Sequence, residues 1–344
     1  MKTIEADLKG GKYGIHIGEG SYDVFGAELT ARGGKVFVVA DETAFSFHGK
    51  TIMRVLPTVP AGISFVKGEE QKNLYTVGKI LEECGAANLT RSDCIVAFGG
   101  GVCGDIAGFC AAIYMRGIDY YQIPTTLLAQ VDSSVGGKTG VDLVAGKNLA
   151  GCFKQPRGVY IDVGVLGTLA EREVNQGKAE MIKAALIKDS RLVEKFEMSG
   201  IVSEDNIREC IKIKMDFVRD DEFDGGRRMM LNFGHTIAHA IEKKMGYGRI
   251  PHGEAVAIGM AVITGISEKA GFTKEGTAKR VEEILKMNGL PVNTTVKVND
   301  LADEMANDKK TFSKMLNLVF LKEIGNAYIE KMTLDDFMSI AGGF

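Results

Sequence analysis

The sequence predicts an α/β amino-terminal domain with a mostly parallel sheet, followed by a mainly α-helical carboxy-terminal domain. Up to about residue 166, short β-branched runs alternate with helical patterns, which is typical of a parallel sheet with helices on its faces. Beyond that point, apolar residues recur mostly at the 3.6-residue period of a helix. We therefore expect domains at residues 1–166 and 167–344, with a nucleotide bound by the first and an active site in the cleft between them.

The elements of the first domain follow from short apolar runs and the residues that end them. Residues 35–40 form a β-branched run that stops at Asp41, the pattern of a buried strand before a ligand-binding loop. Pro124 stops the strand-like run at 120–123. The other elements expected here are a helix at 74–84, a strand at 93–98 and a helix at 105–115.

The second domain is expected to consist mainly of amphipathic helices. Apolar stripes at helical spacing run through residues 172–188, 205–218, 232–246, 253–269 and 275–288. Strand-like runs return only near 316–321 and 327–330.

Composition and charge argue against several classes of protein. The chain has 344 residues, 45% hydrophobic and 25% charged, as in an ordinary globular protein. Its 42 Lys and Arg against 45 Asp and Glu give a net charge of −3, which argues against nucleic-acid and polybasic membrane binding. The six cysteines form no CxxC pair and the amino terminus has no apolar signal core, so we expect free thiols and a cytoplasmic location.

A glycine-rich segment stands where a nucleotide could bind. Residues 99–104, GGGVCG, match G-x-G-x-x-G between a predicted strand and a predicted helix. Glycines there let backbone N–H groups reach a pyrophosphate at a helix amino terminus. The acidic residue expected about twenty positions later is missing, because Pro124 occupies that place. The segment therefore indicates either dinucleotide or phosphate binding, or only tight packing.

A second glycine-rich segment, residues 132–148, carries Lys138 and Lys147, with Asn148 beside the second lysine. It is not a P-loop, because the first glycine of GxxxxGK[ST] is absent. Lysines on glycine-rich loops form an anion site or are simply solvated, and the segment alone leaves both open.

The histidines indicate a metal site in the second domain. Three of the five, His235, His239 and His252, fall within eighteen residues. His235 and His239 are four apart on one predicted helix, and Glu180 lies on another helix, three residues before Lys183. Three ligands from separate helices and one open position are what a catalytic Zn²⁺ requires. The alternatives are histidines packed in the core and a surface ion pair between Glu180 and Lys183.

Positively charged side chains indicate the charge of the substrate. Lys214, Arg227 and Arg228 precede the histidines, and Lys309 and Lys310 follow them. Cations near a metal and a nucleotide favour a small, multiply anionic substrate, such as one with a phosphate and a carboxylate.

Together, these segments resemble the 3-dehydroquinate synthase family of the sugar-phosphate cyclases. The block at 114–140 is long and highly specific, and the blocks recur in family order from about residue 35 onward. The matching blocks are GEEQK at 68–72, GGGVCGDIAGFCAA at 99–112, YMRGIDYYQIPTTLLAQVDSSVGGKTG at 114–140, GKN at 146–148, GKAEMIK at 177–183, LNFGHTIAH at 231–239, HGEAVAIGM at 252–260 and DKK at 308–310.

The resemblance implies an enzyme of the shikimate pathway that converts 3-deoxy-D-arabino-heptulosonate 7-phosphate to 3-dehydroquinate and phosphate. The implied chemistry is a transient oxidation by NAD⁺, phosphate elimination, re-reduction, ring opening and an intramolecular aldol closure. The implied cofactors are NAD and one divalent metal, normally zinc with cobalt as the alternative. The expected partner is a phosphorylated sugar acid, and the expected assembly is a homodimer.

The resemblance also implies roles for individual residues. The metal ligands become Glu180, His235 and His252, so that His239 is a substrate-side residue and not the second ligand beside His235. The implied cofactor-binding residues are Asp41, Glu69, Lys72, Gly101, Val102, Cys103, Gly104, Asp105, Thr125, Thr126, Lys138, Lys147 and Thr168. The implied catalytic and substrate-binding residues are Arg116, Asp132, Lys138, Lys147, Asn148, Lys183, Lys214, Arg228, Asn232 and His239, with one of Lys309 and Lys310.

Other functions compete with this interpretation. A sibling cyclase, such as 2-deoxy-scyllo-inosose synthase or aminodehydroquinate synthase, would share much of the pattern. Lys138, Asn148 and Arg228 favour an acidic substrate over inosose chemistry but leave the amino analogue open. A metal- and NAD-dependent polyol dehydrogenase would accumulate NADH and would not explain the anion-binding side chains. A non-catalytic metabolite-binding protein would lack a ligand or a cation, and none is missing from the pattern.

Overall fold

The computed structural model describes residues 1–246, 248–307 and 315–342. The chain divides into two compact units, Met1–Val174 and Asn175–Phe344. Lys309 and Lys310 lie outside the described residues, so the choice between them stays open. Among the described residues, no helix combines the length and the apolar character needed to cross a lipid bilayer.

The strands are β1 (Lys2–Leu8), β2 (Gly11–Ile17), β3 (Val36–Asp41), β4 (Gly62–Val66), β5 (Cys94–Gly99), β6 (Asp119–Pro124), β7 (Lys138–Leu143), β8 (Gly146–Phe153), β9 (Gly158–Ile161), β10 (Met315–Glu323) and β11 (Asn326–Thr333). The α-helices are α1 (Ser21–Arg32), α2 (Glu42–Val55), α3 (Leu74–Ala86), α4 (Gly101–Ile113), α5 (Glu171–Lys188), α6 (Ser190–Ser199), α7 (Glu204–Asp220), α8 (His235–Met245), α9 (His252–Lys269), α10 (Thr277–Met287), α11 (Ala302–Asn307) and α12 (Leu334–Ala341).

The first unit contains the mostly parallel sheet that the sequence predicts. In the described residues, its seven strands follow the order β1-β2-β9-β6-β5-β3-β4, and only β1 and β2 pair antiparallel. Helices α3 and α4 pack on one face, while α1 and α2 pack on the other. Strands β3 and β5 are buried on both faces, which explains why their sequences are continuous apolar runs rather than alternating ones.

The parallel strands bring candidate cofactor residues to one edge of this sheet. Asp41 ends β3, Gly99 ends β5, and Thr125 directly follows β6. Gly99 pairs with Pro124, and a Cβ on Gly99 would lie 2.7 Å from the Cβ of Asp41. Asp41, which precedes the glycines in the chain, therefore lies beside them in space.

Two glycine-rich segments differ from the predicted elements. The helix expected at 105–115 begins earlier, at Gly101, because small residues in its first turn allow close packing on β6: a Cβ on Gly104 would lie 2.7 Å from Oε1 of Gln122. The prediction of a loop at 132–148 is wrong for most of that segment. Strands β7 and β8 form an antiparallel hairpin there, with Gly140 opposite Gly151. The β1–β2 hairpin, β4, β9, α1 and α2 were not predicted at all.

The second unit is mainly helical, as predicted. The five expected helices correspond to α5, α7, α8, α9 and α10, and the two late strands pair as the antiparallel hairpin β10–β11. The helix expected from residue 232 begins instead at His235, because a 3-10 helix at Arg227–Asn232 precedes it and Gly234 turns the chain with a φ of 79°. That left-handed conformation favours glycine, and it places His235 in the first turn of α8.

Candidate functional site

Three side chains from three helices of the second unit form a cluster of metal-binding type, which we call the histidine–glutamate cluster: Glu180, His235 and His252. Glu180 lies on α5, while His235 and His252 are the first residues of α8 and α9. Oε1 of Glu180 lies 3.6 Å from Nε2 of His235 and 3.7 Å from Nε2 of His252. The three ligand atoms all lie within 4.8 Å of one another.

The nitrogen of each ring that faces away from Glu180 has a partner of its own. Nδ1 of His235 lies 3.1 Å from the carbonyl oxygen of Phe233, and Nδ1 of His252 lies 3.5 Å from Oε2 of Glu242. A carbonyl oxygen only accepts hydrogen bonds, so Nδ1 of His235 donates and Nε2 keeps its lone pair. Burial first, and then the charge of Lys183, lower the pKa of His235 well below its usual value. Its ring is therefore neutral, the form that binds metals.

The environment of Glu180 fits a divalent cation. The residue is only 3% exposed, and its Oε1 has no hydrogen-bond partner among the described residues. A buried carboxylate oxygen that faces imidazole lone pairs is unfavourable unless a positive group lies between them. Ligand atoms 2.0–2.1 Å from a tetrahedral zinc ion are about 3.4 Å apart, close to the observed 3.6 and 3.7 Å. Two imidazoles and one carboxylate are also a ligand set found in catalytic zinc sites.

Glu180 and Lys183 do not form a surface ion pair. Nζ of Lys183 contacts Oε2 of Glu180, and both residues are 3% exposed. Their pairing leaves Oε1 of the glutamate directed toward the histidines. The alternative of a solvated ion pair is therefore wrong.

Two other buried cations belong to this unit, Lys214 on α7 and Arg228 in the 3-10 helix Arg227–Asn232. The Arg228 side chain donates to the carbonyl oxygen of Glu222, and its backbone N–H donates to Asp221 over 3.1 Å. The neighbouring Arg227 is different, since its side chain is 39% exposed and pairs with Asp220. Of the two adjacent arginines, only Arg228 is held inside the protein.

His239 and Asn232 complete the predicted residues of the second unit. The His239 ring centre lies 5.5 Å from that of His235 and 6.2 Å from that of His252. Asn232, at the end of its 3-10 helix, is partly buried. The three histidines that the sequence singled out are thus neighbours in space.

In the first unit, the buried amine of Lys72 joins two predicted site residues. Its Nζ lies 2.7 Å from Oδ2 of Asp105 and donates to Oδ1 of Asn148 over 2.6 Å. Although burial acts against it, the charges of Asp105 and then of Glu69 hold the pKa of Lys72 above its usual value. Lys147, next to Asn148, lies 3.8 Å from Glu69. Five predicted site residues are therefore linked by charge and hydrogen bonds.

The first turn of α4 provides backbone N–H groups directly after β5. The N–H of Gly104 donates to the carbonyl oxygen of Gly100, so the groups without an acceptor in the helix come earlier, at Gly101, Val102 and Cys103. The Cys103 thiol is buried and donates to Val39 over 3.2 Å, and burial raises its pKa. The Cys103 thiol is therefore unsuited to act as a nucleophile.

The remaining predicted residues of the first unit are placed individually. Asp41 caps α2 by accepting from the N–H of Ala44 over 2.8 Å, and Thr168 lies 2.8 Å from the ring of His48. The others are Thr125, whose N–H donates to Gly99; Thr126, which accepts from Ala129; Arg116, with a φ of 68°; Asp132, in the π-helix Ala129–Ser133; and Lys138, exposed at the start of β7.

Sequence reasoning missed Glu242, the carboxylate beside His252. It is 2% exposed and lies on α8, seven residues after His235 and three after His239. That i, i+4, i+7 spacing places all three on one helix face. The spacing could have identified Glu242 as a neighbour of the histidines.

Family models and curated relatives that match this chain carry the same description over most of its length. A family model described as 3-dehydroquinate synthase N-terminal matches residues 62–176, and one described as 3-dehydroquinate synthase C-terminal matches residues 177–311. A 3-dehydroquinate synthase of Clostridium acetobutylicum is 43% identical, with 96% of this chain and 97% of the relative covered. One from Streptococcus pneumoniae is 42% identical, with 97% and 98% covered.

Solved structures share the fold. A 2-deoxy-scyllo-inosose synthase in complex with carbaglucose-6-phosphate, NAD⁺ and Co²⁺ has a TM-score of 0.87 at 24% identity, with 99% of both chains covered. ValA, a 2-epi-5-epi-valiolone synthase of Streptomyces hygroscopicus with NAD⁺ and Zn²⁺ bound, has a TM-score of 0.83 at 25% identity, with 99% of this chain and 96% of that chain covered. A probable glycerol dehydrogenase of Sinorhizobium meliloti scores 0.62 at 14% identity, with 95% of both chains covered.

Proposed function

Because this chain belongs to the 3-dehydroquinate synthase family, we propose that Glu180, His235 and His252 bind the metal of its active site, and that the metal is zinc. The chain is an enzyme that converts 3-deoxy-D-arabino-heptulosonate 7-phosphate to 3-dehydroquinate and phosphate, with NAD and a divalent metal as cofactors. The observation that carries the metal assignment is the position of Oε1 of Glu180, buried and facing Nε2 of both histidines.

When bound, the metal supplies a Lewis acid that makes a coordinated hydroxyl more acidic, and NAD⁺ supplies a reversible hydride acceptor. The protein holds its ligands ready for this role. His235 is kept neutral by burial, and Lys183 fixes Glu180 through Oε2. Little reorganisation is then needed when the ion binds.

The buried cations of the second unit would hold the anionic ends of the substrate. Lys183, Lys214 and Arg228 are each no more than 7% exposed. A carboxylate or phosphate that replaces water around buried ammonium and guanidinium groups forms strong, charge-assisted hydrogen bonds. Such contacts hold one conformer of a flexible sugar acid, which favours ring closure over side reactions. We assign Asn232 and His239 to the same substrate-binding surface.

The carboxyl edge of the parallel sheet would bind NAD⁺. The first turn of α4 offers N–H groups to the pyrophosphate, as helix amino termini do in other nucleotide sites. Asp41, at the neighbouring strand end beside Gly99, would accept from a ribose hydroxyl. Lys72, linked to Asp105 and Asn148, holds the hairpin β7–β8 against this region of the unit. The other residues assigned to the cofactor or the substrate in this unit are Glu69, Arg116, Thr125, Thr126, Asp132, Lys138, Lys147 and Thr168.

An assay with heptulosonate phosphate, zinc and a catalytic amount of NAD⁺ tests the reaction. Phosphate and 3-dehydroquinate should appear together over many turnovers, without net growth of absorbance at 340 nm, because NADH returns its hydride within each cycle. Stoichiometric accumulation of NADH would instead indicate a polyol dehydrogenase. Offering the amino analogue of the substrate in the same assay separates the two cyclase activities by their kcat/KM.

Elemental analysis of purified variants tests the ligands. His252→Ala should lose zinc and activity while its circular dichroism stays that of the wild type, because a partly exposed residue at a helix start contributes little to the core. His48→Ala, in the first unit, is the matched histidine control and should keep its zinc. Full zinc occupancy in His252→Ala would rule out the proposed ligand set.

A further inference from the structure

We propose that Glu242 is a positioning residue that selects which side of the His252 ring binds the metal. By holding Nδ1, the glutamate directs Nε2 toward Glu180. This inference rests on the proposed metal site, and it concerns a residue outside the three ligands.

The placement of Glu242 suits this role. It projects from α8, the helix that begins with His235, toward the first residue of α9. Its Oε2 lies 3.5 Å from Nδ1 of His252, and its side chain is 2% exposed against 31% for the histidine. This separation is that of an ion pair and is longer than a hydrogen bond. Because the carboxylate is buried, water weakens its attraction for the imidazole less than it would at the surface.

The chemistry of imidazole turns this contact into a choice of nitrogen. A neutral ring carries one proton and one lone pair on its two nitrogens. If Nδ1–H is held by the carboxylate, the lone pair is on Nε2, the atom 3.7 Å from Oε1 of Glu180. A carboxylate behind a ligating histidine also makes the ligand nitrogen more basic and fixes the plane of the ring.

The two ligand histidines are therefore supported differently. His235 has a backbone carbonyl behind it, from Phe233, and this partner does not depend on any side chain. His252 has a side-chain carboxylate, which a substitution can remove. A substitution of Glu242 therefore measures what this carboxylate contributes to metal binding, without changing any of the three proposed ligands.

The same geometry contains a competing set of ligands. His239, Glu242 and His252 also offer three ligand atoms within 4.8 Å of one another. Metal binding there would use the side of the His252 ring that faces Glu242. Since a neutral ring has a single lone pair, His252 serves one set at a time. The set with Glu180 is favoured because a buried carboxylate oxygen faces two Nε2 atoms at nearly the spacing that tetrahedral zinc imposes.

The experiment compares zinc binding by Glu242→Gln, His239→Ala and the wild type. Zinc dissociation constants are measured by competition with a chromophoric chelator, stoichiometry by elemental analysis, and coordination by the visible spectrum of the Co²⁺-loaded protein. Glu242→Gln should bind one equivalent of zinc about 10- to 100-fold more weakly, because the amide lacks the charge that strengthens the Nδ1–H interaction. At saturating zinc, the KM for substrate should stay near that of the wild type.

Matched controls separate positioning from general damage. Glu197→Gln removes another helical glutamate, one that pairs with Arg280 over 2.9 Å, and should leave zinc affinity unchanged. His239→Ala should also leave it unchanged. Should Glu242→Gln fail to fold, Glu242→Asp keeps the charge but withdraws it by one methylene, and the same weakening is expected.

The outcomes are distinguishable. Unchanged zinc affinity in both Glu242 variants would overturn the positioning role, while the three-ligand site would stand if His252→Ala still lost its zinc. Loss of zinc in His239→Ala, with retention in Glu180→Gln, would place the metal in the competing set and overturn both proposals.

Discussion

Gly259 on α9 packs directly against the backbone carbonyl of Gly234, the residue before His235. A Cβ on Gly259 would overlap the oxygen of that carbonyl and lie 3.0 Å from its carbon. Gly234 leads into α8, and α9 begins with His252, so the contact sets the separation of the two helices that carry the histidines. Close backbone packing therefore helps to define the geometry of the proposed metal site.

We expect Gly259→Ala to push α8 and α9 apart. Overpacking of this kind costs about 1–3 kcal/mol, and the displaced histidines should also bind zinc more weakly. Urea denaturation and chelator competition measure the two effects. Gly78→Ala on α3 is the matched control, because a Cβ there meets no atom within 4 Å and alanine should stabilise the helix by about 0.5–1 kcal/mol. Equal stability of the two variants would mean that the helix contact is not tight.

Arg228→Lys should weaken the use of substrate. The guanidinium is buried and held by the carbonyl of Glu222, so it presents a fixed fork that an ammonium cannot reproduce. The loss of a hydrogen bond to a charged group costs about 1.5–3 kcal/mol, or about ten- to hundred-fold in kcat/KM. NAD⁺ affinity without substrate should change little. Arg227→Lys is the control, since that side chain is 39% exposed and pairs with Asp220. If both variants stay within about twofold of the wild type, Arg228 does not bind substrate.

Lys72→Met should lower both the thermal stability of the protein and its affinity for NAD⁺. The substitution removes the cation between Asp105 and Asn148, and the partly buried carboxylate of Asp105, 19% exposed, loses its charged partner. We expect a lower melting temperature and NAD⁺ binding about tenfold weaker by calorimetry. Lys79→Met, at a lysine whose side chain is 59% exposed, should affect neither. A lower melting temperature with normal NAD⁺ affinity would make Lys72 purely structural.

Asp93→Asn should make the protein less stable at neutral pH. The variant should also lose less stability than the wild type when the pH is lowered. Asp93 is 4% exposed and accepts from the backbone N–H groups of Lys35 and Thr90 over 2.7 and 2.6 Å. Burial opposes the charge, but these hydrogen bonds outweigh it and hold the pKa of Asp93 below its usual value.

The direction of this pH dependence follows from the linkage between proton binding and folding. The folded pKa is lower than the unfolded one, so the carboxylate stabilises the protein above the unfolded value of about 3.9, and this contribution is lost as the pH falls through the folded pKa. At pH 7 the variant should be about 1–3 kcal/mol less stable, and the difference should shrink toward pH 3. Urea unfolding at both pH values measures it. Asp7→Asn, at an aspartate 61% exposed, is the control, and a difference as large at pH 3 as at pH 7 would contradict the assignment.

Local patterns predicted much of the fold. Strands β3 and β5 and the five long helices of the second unit were found because their apolar residues repeat at a fixed period or form continuous runs. The β7–β8 hairpin was missed because its glycines have no apolar side chains to produce a pattern, although the structure needs them where Gly140 meets Gly151. The start of α4 was displaced for the same reason.

The sequence by itself determined which residues are candidates for the proposed metal site, through the family blocks that imply Glu180, His235 and His252 as ligands. Spacing alone indicated His235 and His239, because residues four apart share a helix face whether or not they share a ligand. Only the tertiary structure decided which ring nitrogens meet Glu180 and which meet Phe233 and Glu242. The orientation of an imidazole depends on partners that three helices bring together from distant parts of the chain, and no local pattern records that packing.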